Sequence, residues 1–76
     1  MTVAIKINFR QRLLEKQLRE KRRIDDKEIH QETGTPYKTI ERWDKGKVTQ
    51  IDTRVLERWC KYLDCNVGDL LEYVPD

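Results

Sequence analysis

The chain has no serine and a single histidine, and these shortages exclude more than any motif that is present. Catalysis by acid, base and nucleophile needs several such groups in reach of one another, and neither a glycine-rich phosphate loop nor a metal-ligand spacing offers another route. An enzyme is therefore not expected. Cysteine is scarce too. Cys60 and Cys65 make no disulfide framework, and no second pair or histidine cluster joins them to complete a zinc site. They read as small apolar side chains in a reducing compartment, and no metal or other cofactor is expected. No apolar run approaches the roughly 20 residues of a membrane span. The start MTVAIKINF also lacks a basic segment followed by a long apolar stretch. The expected setting is the cytoplasm, without a membrane partner.

Apolar residues make up only 37% of the 76, so one small core forms only if nearly all of them converge. Charge is plentiful but unevenly spread. Residues 1–23 hold eight Lys or Arg against two acids, residues 24–47 five against six, and residues 48–76 three against six. A basic amino-terminal part followed by an acidic carboxy-terminal one suggests that one side of the molecule faces a polyanion.

The stretch IDDKEIHQETGTPYKTIERWDKGK, Ile24 to Lys47, carries the most local information. Asp25 can cap a helix start and Glu28 stands three residues later, so a helix is predicted to begin at Asp26. Its apolar stripe is thin: Ile24, Ile29 and Thr33. Gly34 follows where a left-handed residue turns the chain. Thr35 is expected to cap the next helix, with Pro36 at its first position, where a missing amide hydrogen costs nothing. Ile40 and Trp43 point to one side of that helix, while Tyr37, Lys38, Glu41, Arg42 and Lys45 take the other, and Gly46 ends it. Cap, helix, glycine turn and proline-started helix together read as a helix-turn-helix. The long outer side chains suit a major groove about 12 Å wide.

On either side the reading is simpler. Val3, Ile5 and Ile7 alternate with Thr2, Ala4 and Lys6, a period of two that predicts a short extended segment. No partner strand is visible, which leaves a loose or packed arm, pairing with the same segment of a second copy, or an arm along DNA. A helix is expected from about Phe9, with Leu14 and Leu18 four apart and Phe9 and Leu13 near the same side. It runs into Lys21, Arg22 and Arg23, which suit a helix carboxy terminus or phosphate contact. Lys47 to Asp52 is a connection. Asp52 or Thr53 can cap a fourth helix bearing Val55, Leu56, Trp59, Cys60 and Leu63, with Trp59 the largest core contributor. After a turn from Asp64 to Gly68, residues Val67, Leu70, Leu71 and Tyr73 predict a fifth helix, stopped by Pro75. Trp59, Tyr62, Leu71, Tyr73 and Val74 are candidates for an apolar contact between copies.

These residues carry a resemblance. Through Ile29, Gly34, Thr39, Ile40, Trp43, Asp44, Gly46 and Lys47, the central stretch resembles the Xre-like family, the Cro and phage-repressor type of helix-turn-helix domain. The tail VLERWCKYLDCNVGDLLEYVPD is similar to that of a short subgroup of small bacterial and phage-related regulators. The resemblance implies an all-α, compact five-helix bundle over residues 9–76, with residues 1–8 as an arm or short strand. It implies a sequence-specific double-stranded DNA-binding regulator, in most cases a repressor, bound as a homodimer on paired half-sites. Pro36, Tyr37, Lys38 and Arg42 match positions that reach base edges. Thr39, Lys45 and Lys47 match positions near phosphates, and Arg22 and Arg23 join them by charge. Three residues depart from the pattern, one of them Thr33, which replaces an apolar residue. Asp26 stands where glutamine often touches phosphate, and His30 stands where a small alanine usually lets the two motif helices approach. Both favour the rival reading, a protein-interaction module or antitoxin-type subunit that keeps the fold.

Overall fold

The computed structural model describes residues 5–75. The sequence expectations for residues 1–4 lie outside that range. The order is β1 (Ile5–Ile7), α1 (Phe9–Glu20), α2 (Asp26–Thr33), α3 (Tyr37–Asp44), α4 (Thr53–Leu63), α5 (Val67–Leu70) and β2 (Leu71–Tyr73). Among these residues no helix is long and apolar enough to cross a membrane.

The helix boundaries follow from local chemistry in most places. Asp25 accepts a hydrogen bond from the Glu28 amide at 2.9 Å and starts α2, and Gly34 ends it at φ 71°. Asp52 accepts from the Arg54 amide at 2.8 Å and starts α4. The chain leaves α3 through Gly46, which sits at φ 69° while Lys47 donates its amide to the Arg42 carbonyl. The start of α3 differs from expectation. Pro36 is the cap residue itself, and its carbonyl accepts from the amides of Thr39 and Ile40. The Thr35 side chain caps nothing: it stands one residue ahead of the cap, fully buried, with its hydroxyl bound to that of Thr33 at 2.7 Å.

Two readings of the chain ends are corrected. The fold is not strictly all-α: β1 and β2 form a two-stranded antiparallel ribbon in which Ile5 faces Tyr73, Lys6 faces Glu72 and Ile7 faces Leu71. The fifth helix therefore stops at Leu70. Leu71 and Tyr73 flank Glu72 with the period of two that suits a strand, and the amino-terminal segment supplies the backbone partner that each strand lacks alone. The ribbon is anchored where Asn8 donates its amide to the Leu70 carbonyl at 2.8 Å.

The core consists of Phe9, Leu13, Ile24, Ile29, Ile40, Trp43, Trp59, Leu63 and Leu70. Three aromatic rings form its centre: Phe9 lies 4.7 Å from Trp59 and 6.4 Å from Trp43, and the two tryptophans are 6.2 Å apart, all tilted or edge-on. Such geometry suits the ring quadrupoles. The buried stripe of α1 is thus Phe9 and Leu13, whereas Leu14 and Leu18 face outward, Leu18 at 78% exposure. The Leu14 and Leu18 pair is rotated by one residue, about 100° on a helix of 3.6 residues per turn. Both pairs cannot face inward, and the one containing phenylalanine does. Trp59 is fully buried, which withdraws it from any contact between copies, while Tyr73 stays exposed.

Candidate nucleic-acid interface

The motif helices meet across the turn from Thr33 to Pro36, and hydrogen bonds hold that turn in place. The Thr33 hydroxyl donates to the Ile29 carbonyl at 2.7 Å, and the Thr35 amide donates to the Thr33 oxygen at 3.3 Å. His30 is half-buried beside the turn. Its ring turns out of the gap, its Nδ1 lies 2.7 Å from the Thr35 carbonyl oxygen, and its face stacks on Tyr37 at 4.5 Å with 22° between planes. A carbonyl only accepts, so Nδ1 carries the proton and donates it.

With the turn set, Ile40 and Trp43 bury one face of α3, and Tyr37, Lys38 and Arg42 stand exposed on the other, Tyr37 at 48%. Thr39 is half-buried beside them. Thr39, Arg42 and Lys47 then line one cleft of about 330 Å3, together with Thr49, Gln50 and the acidic Asp52 of the loop ahead of α4. The sequence marks that loop only as a connection, and nothing in its composition signals that Thr49 and Gln50 would reach the cleft. Pro36, Tyr37 and Lys38 sit together at the amino-terminal end of the same helix.

The ion pairs separate the cations into two groups. Lys45 is held by Glu41 at 2.6 Å, so the Glu41 carboxyl is pulled below the usual carboxylate range and the Lys45 ammonium is pushed up, each by the hydrogen bond to the other. Arg22 is clamped between Glu20 at 2.7 Å and Glu28 at 2.6 Å, chiefly by hydrogen bonds, which raises its pKa and lowers that of Glu20, whose larger cause is the bond from Lys16. Arg10 binds Asp44 at 2.9 Å and feels the charge of Asp26 as well. That proximity offsets part of the repulsion Asp26 would exert on a phosphate. Lys38, Arg42, Lys47, Lys21 and Arg23 have no ion-pair partner among the described residues. Lys6, Arg19, Lys27, Arg58 and Lys61 have none either, so three of the ten unpaired cations belong to α3 or the residues directly after it.

Arg22 and Arg23 are not brought into the α3 cleft. They border a shallow groove of about 1290 Å3 on the outer side of α1, together with Leu14, Leu18 and Asp26. That groove is the larger of the two, but Leu13, Leu14, Leu18 and Ile24 make much of its lining apolar, so size alone does not make it the place for a polyanion. Cys60 and Cys65 are half-buried free thiols whose pKa values are raised by burial, as suits packing rather than reactivity. No cluster of three or more His, Cys, Asp or Glu that could hold a metal occurs among the described residues.

No curated protein and no solved structure matches the chain. A family model described as Cro/C1-type HTH DNA-binding domain does match, over residues 16–76, and the protein belongs to that family.

Proposed function

We propose that this protein is a sequence-specific transcriptional regulator of the repressor kind that lays α3 in the major groove of double-stranded DNA. One observation carries the reading: the exposed face of α3 presents Tyr37, Lys38 and Arg42 outward, with neither cation engaged by a carboxylate among the described residues. Arg42 makes a bidentate contact to guanine, Lys38 reaches a guanine or a phosphate, and Tyr37 packs on a sugar or a thymine methyl, with Pro36 beside it. Thr39 and Lys47 take phosphates across the cleft. Lys45 and Arg22 contribute less than Lys47, since each must first exchange an internal carboxylate for a phosphate, and Arg23 reaches the backbone only at the margin. The carboxy-terminal sequence supports placing the chain in the short subgroup named above.

A single helix covers half a site, so the protein binds as a homodimer on half-sites separated by one helical turn, roughly 34 Å. Selection of bound duplexes from a random pool at low salt tests the reading. The expected result is a consensus of two related half-sites whose affinity falls steeply as salt rises. Failure to retain any duplex at low salt would remove DNA as the partner. The exposed Leu14 and Leu18 favour a second reading, in which the groove on α1 holds a protein partner while α3 holds DNA. Retention of DNA with no effect of Leu18→Glu on any co-purifying protein would count against it.

A further inference from the structure

We infer that His30 is a positioning residue for DNA reading: it fixes the direction of the Tyr37 ring and thereby sets base preference at the amino-terminal end of α3. The inference rests on the reading of α3 as the recognition helix. Tyr37 is the first residue of that helix, follows a cap residue that makes no side-chain hydrogen bond, and is 48% exposed. A tyrosine so placed samples several rotamers unless something holds it. What holds it is the imidazole, parallel to it within 22° at 4.5 Å.

The imidazole is itself tied down. Its Nδ1–H donates to the Thr35 carbonyl at 2.7 Å, and Thr35 is fully buried, its hydroxyl bound to Thr33 and Thr33 bound in turn to Ile29 in the core. Restraint therefore passes from Ile29 through Thr33 and Thr35 to His30, and from His30 to the exposed ring. Binding that would otherwise have to order Tyr37 finds it already ordered, and only one ring direction is offered to the base pair it meets. The hydrogen bond also fixes which face of the imidazole is available, so the histidine supports a direction rather than adding bulk alone.

The test uses the selected duplex and a set carrying each base change, one position at a time, with the whole protein. His30→Ala is expected to lower discrimination roughly 3- to 10-fold at the single position that Tyr37 faces, the range that an aromatic pair of this kind is worth. Discrimination at the Arg42 position and affinity for scrambled duplex stay unchanged. His30→Phe keeps the stack without the hydrogen bond and is expected to restore most of the loss, which also guards against a His30→Ala variant that folds badly. In a Tyr37→Ala background, His30→Ala adds no further loss. In the DNA-free protein, the His30 ring protons resonate upfield because of the neighbouring ring, and Tyr37→Ala abolishes that shift.

Equal weakening of every duplex by His30→Ala, or an undiminished loss in the Tyr37→Ala background, overturns the inference. The two readings fail differently. If Arg42→Ala and Tyr37→Ala both discriminate as well as the parent, base reading by α3 is lost and the role of His30 goes with it. If Arg42→Ala loses discrimination while His30→Ala keeps all of it, only the positioning role falls.

Discussion

The two faces of α3 differ in what they are bound to, and on the proposed reading the difference lets eight residues serve folding and recognition separately. Inward, Ile40 and Trp43 are buried, and Trp43 meets Phe9 and Trp59 edge-on. Outward, Lys38 and Arg42 have no ionic partner among the described residues, and Tyr37 touches only the ring of His30 in any stacking sense. The fold supplies its own neutralisation elsewhere: Arg10 to Asp44, Lys16 to Glu20, Arg22 to Glu20 and Glu28, Lys45 to Glu41. If this separation is real, substitutions on the two faces fail in different assays.

The largest effect is expected from the inner face. Trp43→Ala should cost about 3 to 5 kcal/mol of unfolding free energy, by lost burial and the cavity left behind. A single core in a chain of this size rarely supplies more than about 3 to 5 kcal/mol, so urea titration should find the variant largely unfolded or near its midpoint in buffer. A Trp43→Ala protein as stable as the parent would break the comparison at once.

On the outer face, Arg42→Ala should leave the urea midpoint where it is and lower discrimination between matched and scrambled duplex by about 1 to 3 kcal/mol. Lys47→Ala should weaken both duplexes alike and reduce the slope of log affinity against log salt by about one. Lys45→Ala sharpens this further. Its ammonium is shared with Glu41, so its effect on the slope should be smaller than that of Lys47. Equal losses on both duplexes for Arg42→Ala would move Arg42 from base reading to phosphate contact.

The smallest effect belongs to Tyr62, on the inner side of α4. Its hydroxyl is buried without a hydrogen-bond partner among the described residues, and burial pushes its pKa up to about 12. Lys16 stands over the ring at 4.7 Å but does not reverse that direction. The unfolded phenol ionises near pH 10. Between about pH 10 and 12 only the unfolded state therefore releases this proton, so the group's contribution to stability is complete below pH 10 and is lost as pH rises towards the folded value. Tyr62→Phe should remove that part of the alkaline decline, seen as the difference between the two proteins in urea midpoints across the range. At neutral pH it should cost little, since an unpaired buried hydroxyl is exchanged for none. Parallel alkaline declines in the two proteins would show that Tyr62 is solvated.

What could be read from the residues alone follows a physical division. Asp25, Gly34 and Asp52 act on their own chain neighbours, and the patterns around them are correspondingly legible. Trp59 was legible as core because it sits in the most regular apolar stripe, that of α4. Leu71 to Tyr73 reads as helix in the sequence because a strand is defined by a partner, and that partner lies at Ile5 to Ile7, at the opposite end of the chain. Phe9 and Leu13 against Leu14 and Leu18 is a choice between two adjacent stripes that spacing cannot make, since it depends on where Trp43 and Trp59 lie. On the candidate site, the outward direction of Tyr37, Lys38 and Arg42 could be read from the opposite placement of Ile40 and Trp43. The capture of Lys45 by Glu41 is an (i, i+4) pair open to the same reading, whereas the clamp on Arg22 joins two different helices' ends. His30 was legible as an anomaly and not as a contact, because its partner carbonyl belongs to a turn whose shape is set by Thr33 and Thr35.

The most direct test is a titration of isotope-labelled protein with the selected duplex, followed by amide and side-chain chemical shifts. The account predicts that the largest changes fall on Tyr37, Lys38, Thr39, Arg42 and Lys47, with Leu14, Leu18 and Tyr73 unmoved. Changes centred on Leu14 and Leu18 with α3 silent would contradict it.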